Sequence, residues 1–268
     1  MQDLHIHTTY DDGGNSVREM AEQGLQNGFS SLGICVHSPI PGESWCATED
    51  GVRSFVADVR EIAGEMEAIM PVYCGIEYDS VSVCDLSSFD YVIGSVHVLQ
   101  APGGPWYYDA SREETVRMID SVYGGDCDQA AEDYYSRVGS LAEIGAVDIV
   151  GHFDLLTKFD EPDCVYNVDS ARYRDAAGFA MERLVNAGKI FEINTGAVSR
   201  GYRTTFYPSD ALLRQLYSMG GRICLSSDSH SVSTLGFQRS EALASAARAG
   251  FRTLWELHGD HFEEVSLK

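Results

Sequence analysis

The sequence predicts an α/β fold in which parallel strands alternate with helices around a closed or nearly closed barrel. Two observations support this class. Seven short apolar runs alternate with longer segments of helical period, and a polar residue suited to chemistry lies at or just after nearly every run. In a barrel these residues share one mouth, because the loops after the strands all lie on that side. An open doubly wound sheet would gather ligands at one switch point instead.

The elements follow from the apolar pattern in chain order. Strands are predicted at residues 2–7, 31–37, 71–77, 90–98, 147–152, 189–194 and 222–227. Helices are predicted at residues 16–27, 51–69, 129–145, 169–187, 208–219 and 239–249, and a short apolar stretch at 251–257 closes the chain. Ser16 with Glu19 three residues later indicates a capping box. A chain of 268 residues is normal for one barrel, so we expect a single domain over 1–268.

One irregular segment, residues 101–128, interrupts this alternation. It begins with Pro102-Gly103-Gly104-Pro105, continues with aromatic residues, and directly follows His97. Loops of this length are usually functional or mobile. We expect a lid or a pocket wall here, and the alternative is a surface excursion packed by its own aromatic residues.

The chain is strongly acidic. It has 41 acidic and 19 basic residues, for a formal net charge of −22. Such a surface repels nucleic-acid polymers and anionic membranes, so neither is an expected partner. A phosphorylated small molecule would require local positive charge from metal ions or a few arginines. The seven cysteines form no C-x-x-C motif, and no signal peptide or bilayer-spanning run is evident, so we expect a cytoplasmic location.

Metal ligation is the chemistry that the strand ends indicate. A strand places the side chains of His5 and His7 on one face, so both can reach one ion. Asp11 and Asp12 compete for one further ligand role in the turn that follows. The candidate ligands share an imidazole nitrogen or a carboxylate oxygen, and they are His5, His7, Asp12, His37, Glu77, His97, His152, Asp228 and His230. This donor set suits zinc, manganese or iron, and nine donors allow three catalytic sites of about three ligands each.

At this point the sequence resembles the polymerase and histidinol phosphatase (PHP) family. The opening motif Asp3-Leu4-His5-Ile6-His7-Thr8 is followed in family order by His37, Glu77, His97, His152 and Asp228-Ser229-His230. Two further stretches are similar to the monofunctional histidinol-phosphate phosphatase branch. They are Gly151-His152-Phe153-Asp154-Leu155 and Glu192-Ile193-Asn194-Thr195-Gly196 with the following Ser199-Arg200-Gly201-Tyr202-Arg203.

The resemblance implies a distorted (β/α)7 TIM-like barrel with three divalent metal ions at the C-terminal ends of the strands. The first ion would be held by His5, His7, Glu77 and Asp228. The second would share Glu77 as a bridge, with His97 and His152, and the third would be held by Asp12, His37 and His230. The implied activity is phosphomonoester hydrolysis in histidine biosynthesis, with L-histidinol phosphate as the expected substrate.

Roles in the reaction can be assigned on the same basis. We expect Glu77, Asp228 and His230 to be catalytic, and Arg200, Arg203 and Asn194 to bind the substrate phosphate. Trp106, Tyr107, Tyr108 and Tyr202 could line the rest of the pocket, whereas Lys158 is expected to be a solvated residue at a helix start.

Three alternatives remain open at this stage. The substrate could be another small phosphate ester, such as a nucleotide or a sugar phosphate. The protein could be a metal-dependent amidohydrolase, although that class often uses a modified lysine and no lysine lies at a strand end before His152. It could also be a non-catalytic metal-binding module, which the complete ligand set disfavours.

Overall fold

The computed structural model describes residues 1–161 and 163–267. Its strands, in chain order, are β1 (Gln2–Asp3), β2 (Ser31–Ile34), β3 (Val72–Asp79), β4 (Tyr91–Ser95), β5 (Val98–Ala101), β6 (Gly104–Tyr107), β7 (Ile149–Val150), β8 (Ile190–Asn194), β9 (Arg222–Ser226), β10 (Thr253–His258) and β11 (His261–Ser266). Its α-helices are α1 (Val17–Gln26), α2 (Glu49–Met66), α3 (Arg112–Tyr123), α4 (Cys127–Ser140), α5 (Ala171–Asn186), α6 (Gly196–Ser199), α7 (Asp210–Ser218) and α8 (Arg239–Ala249).

A parallel sheet of seven strands forms the centre of the fold, in the order β1-β2-β3-β4-β7-β8-β9. The sheet closes where the chain beyond β9 meets the chain beyond β1. There the amide of His7 donates to the carbonyl of Ser229 at 2.8 Å, and the amide of Ser229 donates to the carbonyl of His5 at 3.2 Å. The predicted seven-stranded α/β barrel is therefore confirmed.

The predicted helices are present with small shifts at their ends. Ser16 forms the predicted capping box: its hydroxyl accepts from the amide of Glu19, and the Glu19 carboxylate accepts from the amide of Ser16 at 2.8 Å. None of the helices in the described ranges is long and apolar enough to cross a membrane.

The segment 101–128 is more regular than the sequence indicates. It contains the end of the β5–β6 hairpin and the twelve-residue helix α3, which begins at a Ser111 cap and ends at Gly124 with φ of +62°. The expectation of one long irregular segment is wrong, because the segment contains helix α3, and the short β-strands before it leave little periodic signal. The hairpin still forms part of the pocket wall, through Tyr107.

The end of the barrel opposite the loops that follow the strands is closed by the β10–β11 hairpin. The Gln2 side chain donates to the carbonyl of Leu257 at 2.8 Å and accepts from its amide at 2.7 Å. Tyr91 fills the barrel interior next to this hairpin, and its ring fits there because Gly33 and Gly75 lack side chains. A Cβ at Gly75 would lie 2.1 Å from the Tyr91 ring. In the described part of the chain, the hairpin therefore covers one end of the barrel, and the pocket lies at the opposite end.

Candidate metal centre

The open mouth of the barrel gathers all nine predicted ligands. His5 and His7 follow β1, His37 follows β2, and Glu77 lies within β3. His97, His152 and Asp228 each lie two residues beyond the end of a strand, namely β4, β7 and β9. Because parallel strands end on the same side, residues that are distant in sequence meet here. Seven of the nine side chains are buried, His230 is partly exposed, and Asp12 is the most exposed, at 37%.

Glu77 lies at the middle of this cluster and is almost completely buried. Its Oε2 atom is 3.2 Å from Nε2 of His5 and 3.3 Å from Nε2 of His7. Its Oε1 atom is 2.8 Å from Nε2 of His152 and 3.4 Å from Nε2 of His97. Oε2 is also 3.0 Å from Nδ1 of His37. The two oxygens of one carboxylate thus face different sets of histidines, as a ligand shared by two metal ions would.

Asp228 completes the first of these groups. Its Oδ1 atom lies 3.9 Å from Nε2 of His5 and 3.8 Å from Nε2 of His7. Asp228 has a φ of 49°, in a region that asparagine and aspartate adopt more readily than most other residues. This backbone conformation directs the residue into the cluster from the loop after β9.

A third group forms around Asp12. Its Oδ1 atom lies 3.2 Å from Nε2 of His230 and 3.7 Å from Nε2 of His37. His7 also approaches, and one ligand atom from each of these four residues lies within 4.8 Å of the others. His37 is in addition 3.0 Å from Glu77 through Nδ1, so this imidazole lies between two groups.

Carboxylates outside the cluster orient three of the histidines. Nδ1 of His5 bonds to Glu192 at 2.8 Å, Nδ1 of His7 bonds to Asp11 at 2.7 Å, and Nδ1 of His97 bonds to Asp79 at 3.1 Å. Each such bond favours a hydrogen on Nδ1 and a lone pair on Nε2. The sequence alone indicates no role for Asp79 and Glu192. Two features of the sequence are nevertheless compatible with these roles. Asp79 lies two residues after Glu77 on the same face of β3, and Glu192 is a carboxylate within the apolar run of β8.

The cluster fits divalent metal ions on its own geometry. The Nε2 atoms of His5 and His7 are 3.1 Å apart, and those of His97 and His152 are 3.2 Å apart. With the hydrogens of His5, His7 and His97 held on Nδ1, lone pairs converge on one another and on the Glu77 carboxylate. A cation between them removes that repulsion, and imidazole with carboxylate is a donor set for zinc, manganese or iron.

The pKa values of the cluster indicate the same balance of charge. Burial raises the pKa of Glu77, but His5, His37 and His97 outweigh burial and hold it well below its usual range. Burial lowers the pKa of His97, yet Glu77 and Asp79 raise it to about 9. For His37 burial prevails and lowers the pKa to about 4. Without a cation, protons on imidazoles compensate the buried carboxylates, and metal binding would displace those protons.

An open pocket of about 520 Å³ lies over the cluster. Seven predicted ligands line it, and they are Asp12, His37, Glu77, His97, His152, Asp228 and His230. The remaining wall includes both charged and aromatic residues, among them Glu43, Trp45, Tyr107, Asp109, Lys158, Arg200 and Tyr202. Of the aromatic residues named from the sequence, Tyr107 and Tyr202 line the pocket. Tyr108 is completely buried and packs on Tyr134, with ring centroids 4.8 Å apart.

The three predicted phosphate-binding residues have different surroundings. Arg200 lines the pocket, where Nη2 donates to Oδ2 of Asp228 at 3.0 Å and Nη1 donates to the Asp228 carbonyl at 2.8 Å. Asn194 is completely buried, and its amide donates to Glu192 at 2.7 Å and to Asp228 at 3.3 Å. Asn194 therefore connects the orienting carboxylate of Glu192 to Asp228, a predicted ligand, and is not part of the pocket lining.

Arg203 is likewise absent from the pocket lining. It is 8% exposed, donates to Thr157 at 2.8 Å and to Thr205 at 3.1 Å, and packs over the Tyr207 ring at 4.3 Å. Its guanidinium also lies 3.8 Å from the buried carboxylate of Asp154. The structure does not support direct phosphate contact by Arg203, because these groups hold the guanidinium within the protein.

Lys158 is in the pocket wall, not in solvent. Its ammonium donates to the Asp109 carboxylate at 3.2 Å and to the Asp109 carbonyl at 3.1 Å, and it lies 5.0 Å from the centre of the Tyr202 ring. The expectation of a solvated lysine is therefore wrong. The pocket lining has two arginine or lysine side chains in the described part of the protein, Arg200 and Lys158.

Comparison with known proteins identifies the family. The model of the PHP domain matches residues 3–196, which is well over half of the chain. The chain belongs to the PHP domain family. The matched range includes seven of the nine predicted ligands of this PHP domain, and Asp228 and His230 follow it in the sequence.

Several similar proteins align with nearly the full length of this PHP-domain chain. A protein of Deinococcus radiodurans named "Probable histidinol-phosphatase" is 28% identical over 96% of each chain. The histidinol-phosphatase of Bacillus subtilis is 22% identical, covering 88% of this chain and 96% of its own. The crystal structure of the histidinol phosphate phosphatase of Lactococcus lactis, in complex with zinc, L-histidinol and phosphate, covers 98% of both chains with a TM-score of 0.71 and 18% identity. That structural likeness supports the fold.

Proposed function

We propose that this protein is a metal-dependent phosphomonoesterase that hydrolyses L-histidinol phosphate to L-histidinol and phosphate, a step of histidine biosynthesis. The observation that carries the proposal is the position of Glu77, whose two oxygens face separate sets of histidines beneath an open pocket. The names of the relatives from Deinococcus radiodurans and Bacillus subtilis support the substrate. The partner expected from this reaction is a small phosphorylated molecule.

We propose that the three groups of donors hold three divalent ions. His5, His7, Asp228 and one oxygen of Glu77 would hold the first ion, and His97, His152 and the other oxygen would hold the second. Asp12, His37 and His230 would hold the third. When bound, such ions lower the pKa of a coordinated water and neutralise negative charge on a phosphoryl group.

The roles proposed for the protein's own residues follow from their positions. Glu77 and Asp228 keep the donor groups at fixed separations, and their carboxylates are ionised because the surrounding cationic groups outweigh burial and keep each pKa low. His230 is partly exposed in the pocket, where its imidazole lies next to the Asp12 carboxylate. These three residues are the proposed catalytic residues.

Arg200 is the proposed phosphate-binding residue. Its guanidinium is held by both the carboxylate and the carbonyl of Asp228, so its orientation at the pocket is fixed before substrate arrives. A guanidinium has five N–H donors in a planar fork, which suits the oxygens of a phosphate. Arg200 also supplies one of the few positive charges in a protein with a formal net charge of −22.

A phosphate-release assay tests the proposal. L-histidinol phosphate is compared with sugar phosphates and mononucleotides, with zinc or manganese added and with a chelator. The expected result is chelator-sensitive release with a strong preference for L-histidinol phosphate. Preference for another ester would overturn the proposed substrate and leave the metal chemistry in place, whereas no release from any ester would overturn the phosphatase proposal.

A further inference from the structure

A carboxylate on the outer wall of the pocket lacks a cationic partner. Glu43 lies on the loop between β2 and α2, and its Oε2 atom accepts from the indole N–H of Trp45 at 3.0 Å. Its Oε1 atom accepts from the hydroxyl of Tyr107. Both donors are neutral. Within residues 1–161 and 163–267, no arginine, lysine or histidine nitrogen lies within 4.0 Å of this carboxylate. Glu43 thus presents an uncompensated negative charge to the pocket.

The other carboxylates of the pocket wall are already engaged. Asp12, Glu77 and Asp228 face the histidines of the metal centre. Asp109 is paired with Lys158 at 3.2 Å, so its charge is balanced and the neighbouring ammonium would repel a second cation. Glu43 is therefore the pocket carboxylate best placed to receive a positively charged group of a ligand.

Glu43 is connected to the metal centre through one side chain. The Trp45 ring contacts His37 and His97, with centroids 4.8 Å and 5.5 Å apart. Glu43 accepts a hydrogen bond from this same indole. Trp45 therefore lies between Glu43 and the histidines in this series of contacts. The pocket lining thus combines candidate metal ligands and Arg200 with a carboxylate that has only neutral hydrogen-bond partners and lies beside an aromatic ring.

We propose that Glu43 binds the cationic amine of the substrate while the phosphate group is bound by the metal centre and Arg200. The inference rests on the proposed function, because L-histidinol phosphate carries an ammonium group a few bonds from its phosphate ester. An ammonium held near divalent cations is disfavoured, and a carboxylate offset from those cations compensates for this repulsion. Trp45 adds an aromatic surface, which also favours a cation.

A purely structural role for Glu43 predicts different behaviour. Glu43 joins the loop after β2 to the β5–β6 hairpin through Tyr107, so it could act only as a clamp between two loops. Burial and the bond to Glu43 raise the pKa of Tyr107 to about 12, which keeps its hydroxyl a donor. Glutamine retains an acceptor oxygen and a similar size but removes the charge. Glu43→Gln therefore separates the charge of this residue from its function as a clamp.

The test compares two esters that differ only in the amine, L-histidinol phosphate and the desamino analogue imidazolylpropyl phosphate. We expect Glu43→Gln to lower kcat/KM for L-histidinol phosphate by about 10- to 100-fold, mainly through KM, and to change the analogue by less than about twofold. Titration of L-histidinol into the metal-loaded protein with phosphate present is expected to show a similar loss of affinity. Glu182→Gln, an exposed acid-to-amide change on α5, is the matched control.

Each other outcome overturns the inference in a recognisable way. Equal losses on both esters would overturn the amine contact, because a clamp or a contact with the shared imidazole would give them, and no loss on either would remove Glu43 from substrate binding. A selective loss in Asp109→Asn that is absent in Glu43→Gln would assign the amine to Asp109. If the wild-type protein hydrolysed neither ester, the proposed function itself would be overturned. If the wild-type protein were active and Glu43→Gln showed no selective loss, only the amine site would be overturned.

Discussion

Glu192 links two histidines that lie 147 residues apart in the sequence: its Oε2 atom is 2.8 Å from Nδ1 of His5, and its Oε1 atom accepts from the amide of His152 at 2.7 Å. His5 and His152 belong to different proposed metal sites, on either side of Glu77. A single buried carboxylate on β8 therefore sets the position of both. Such outer carboxylates fix the tautomer and ring orientation of histidine ligands.

Glu192→Gln is expected to weaken metal binding without unfolding the protein. The glutamine amide would present N–H groups where a carboxylate now accepts, which disturbs the tautomer of His5. A loss of about 10- to 100-fold in affinity for zinc or manganese is expected. Competition with a chromophoric chelator measures the affinity, and Glu182→Gln serves as the control. Unchanged affinity would show that Glu192 does not orient the ligand.

Asp228→Asn is expected to reduce turnover by roughly 100-fold or more while the fold is retained. Asparagine tolerates the left-handed backbone conformation at this position, so the loop after β9 keeps its path. The charge that faces His5 and His7 is lost. Phosphate release and circular dichroism report activity and fold. His97→Ala should give the same loss, and near-normal turnover in both variants would contradict the ligand assignment.

Arg200 and Arg203 are expected to affect different properties when replaced. Arg200→Ala should raise KM for the phosphate ester, because this residue lines the pocket. Arg203→Ala should instead lower the free energy of unfolding by about 3 kcal/mol, because it leaves the buried Asp154 carboxylate without its cationic neighbour. Steady-state kinetics and denaturant unfolding of both variants measure the two effects. A pure KM effect in Arg203→Ala would restore it as a phosphate ligand.

Metal affinity is expected to rise with pH between about 6 and 9. The buried carboxylates raise the pKa of His97 to about 9, so in the metal-free protein this imidazole carries a proton near neutral pH. A protonated imidazole cannot bind a metal, so binding releases protons, and each proton released gives about a tenfold gain in apparent affinity per pH unit. Zinc titrations in a pH series measure the slope. A flat profile over this range would contradict the proton balance described above.

The sequence is sufficient to predict the barrel and the gathering of the candidate ligands at one mouth. Parallel strands of period two end on one side, so the pattern of apolar runs alone places His5, His37, Glu77 and His152 at a common mouth. The roles of Asp79 and Glu192 are harder to predict, because both depend on contacts between strands that are distant in sequence. Only the assembled barrel shows which carboxylate faces which histidine.

Arg200 and Arg203 show the limit of local reasoning most clearly. They are three residues apart, and the sequence suggests a phosphate-binding role for both. Arg200 follows the short helix α6, and Gly201, with φ of +76°, then turns the chain so that Arg203 points into the protein. The same limit applies to Glu43, which reaches Tyr107 only because the loop after β2 and the β5–β6 hairpin meet at the pocket.

The most direct test of the metal centre is a crystal structure of the protein with zinc, with anomalous data collected at the zinc edge. The prediction is a peak on each side of Glu77, about 2.0–2.2 Å from Oε1 and from Oε2, and a third beside Asp12, His37 and His230. A single peak, or peaks that do not contact Glu77, would contradict a centre organised around this carboxylate.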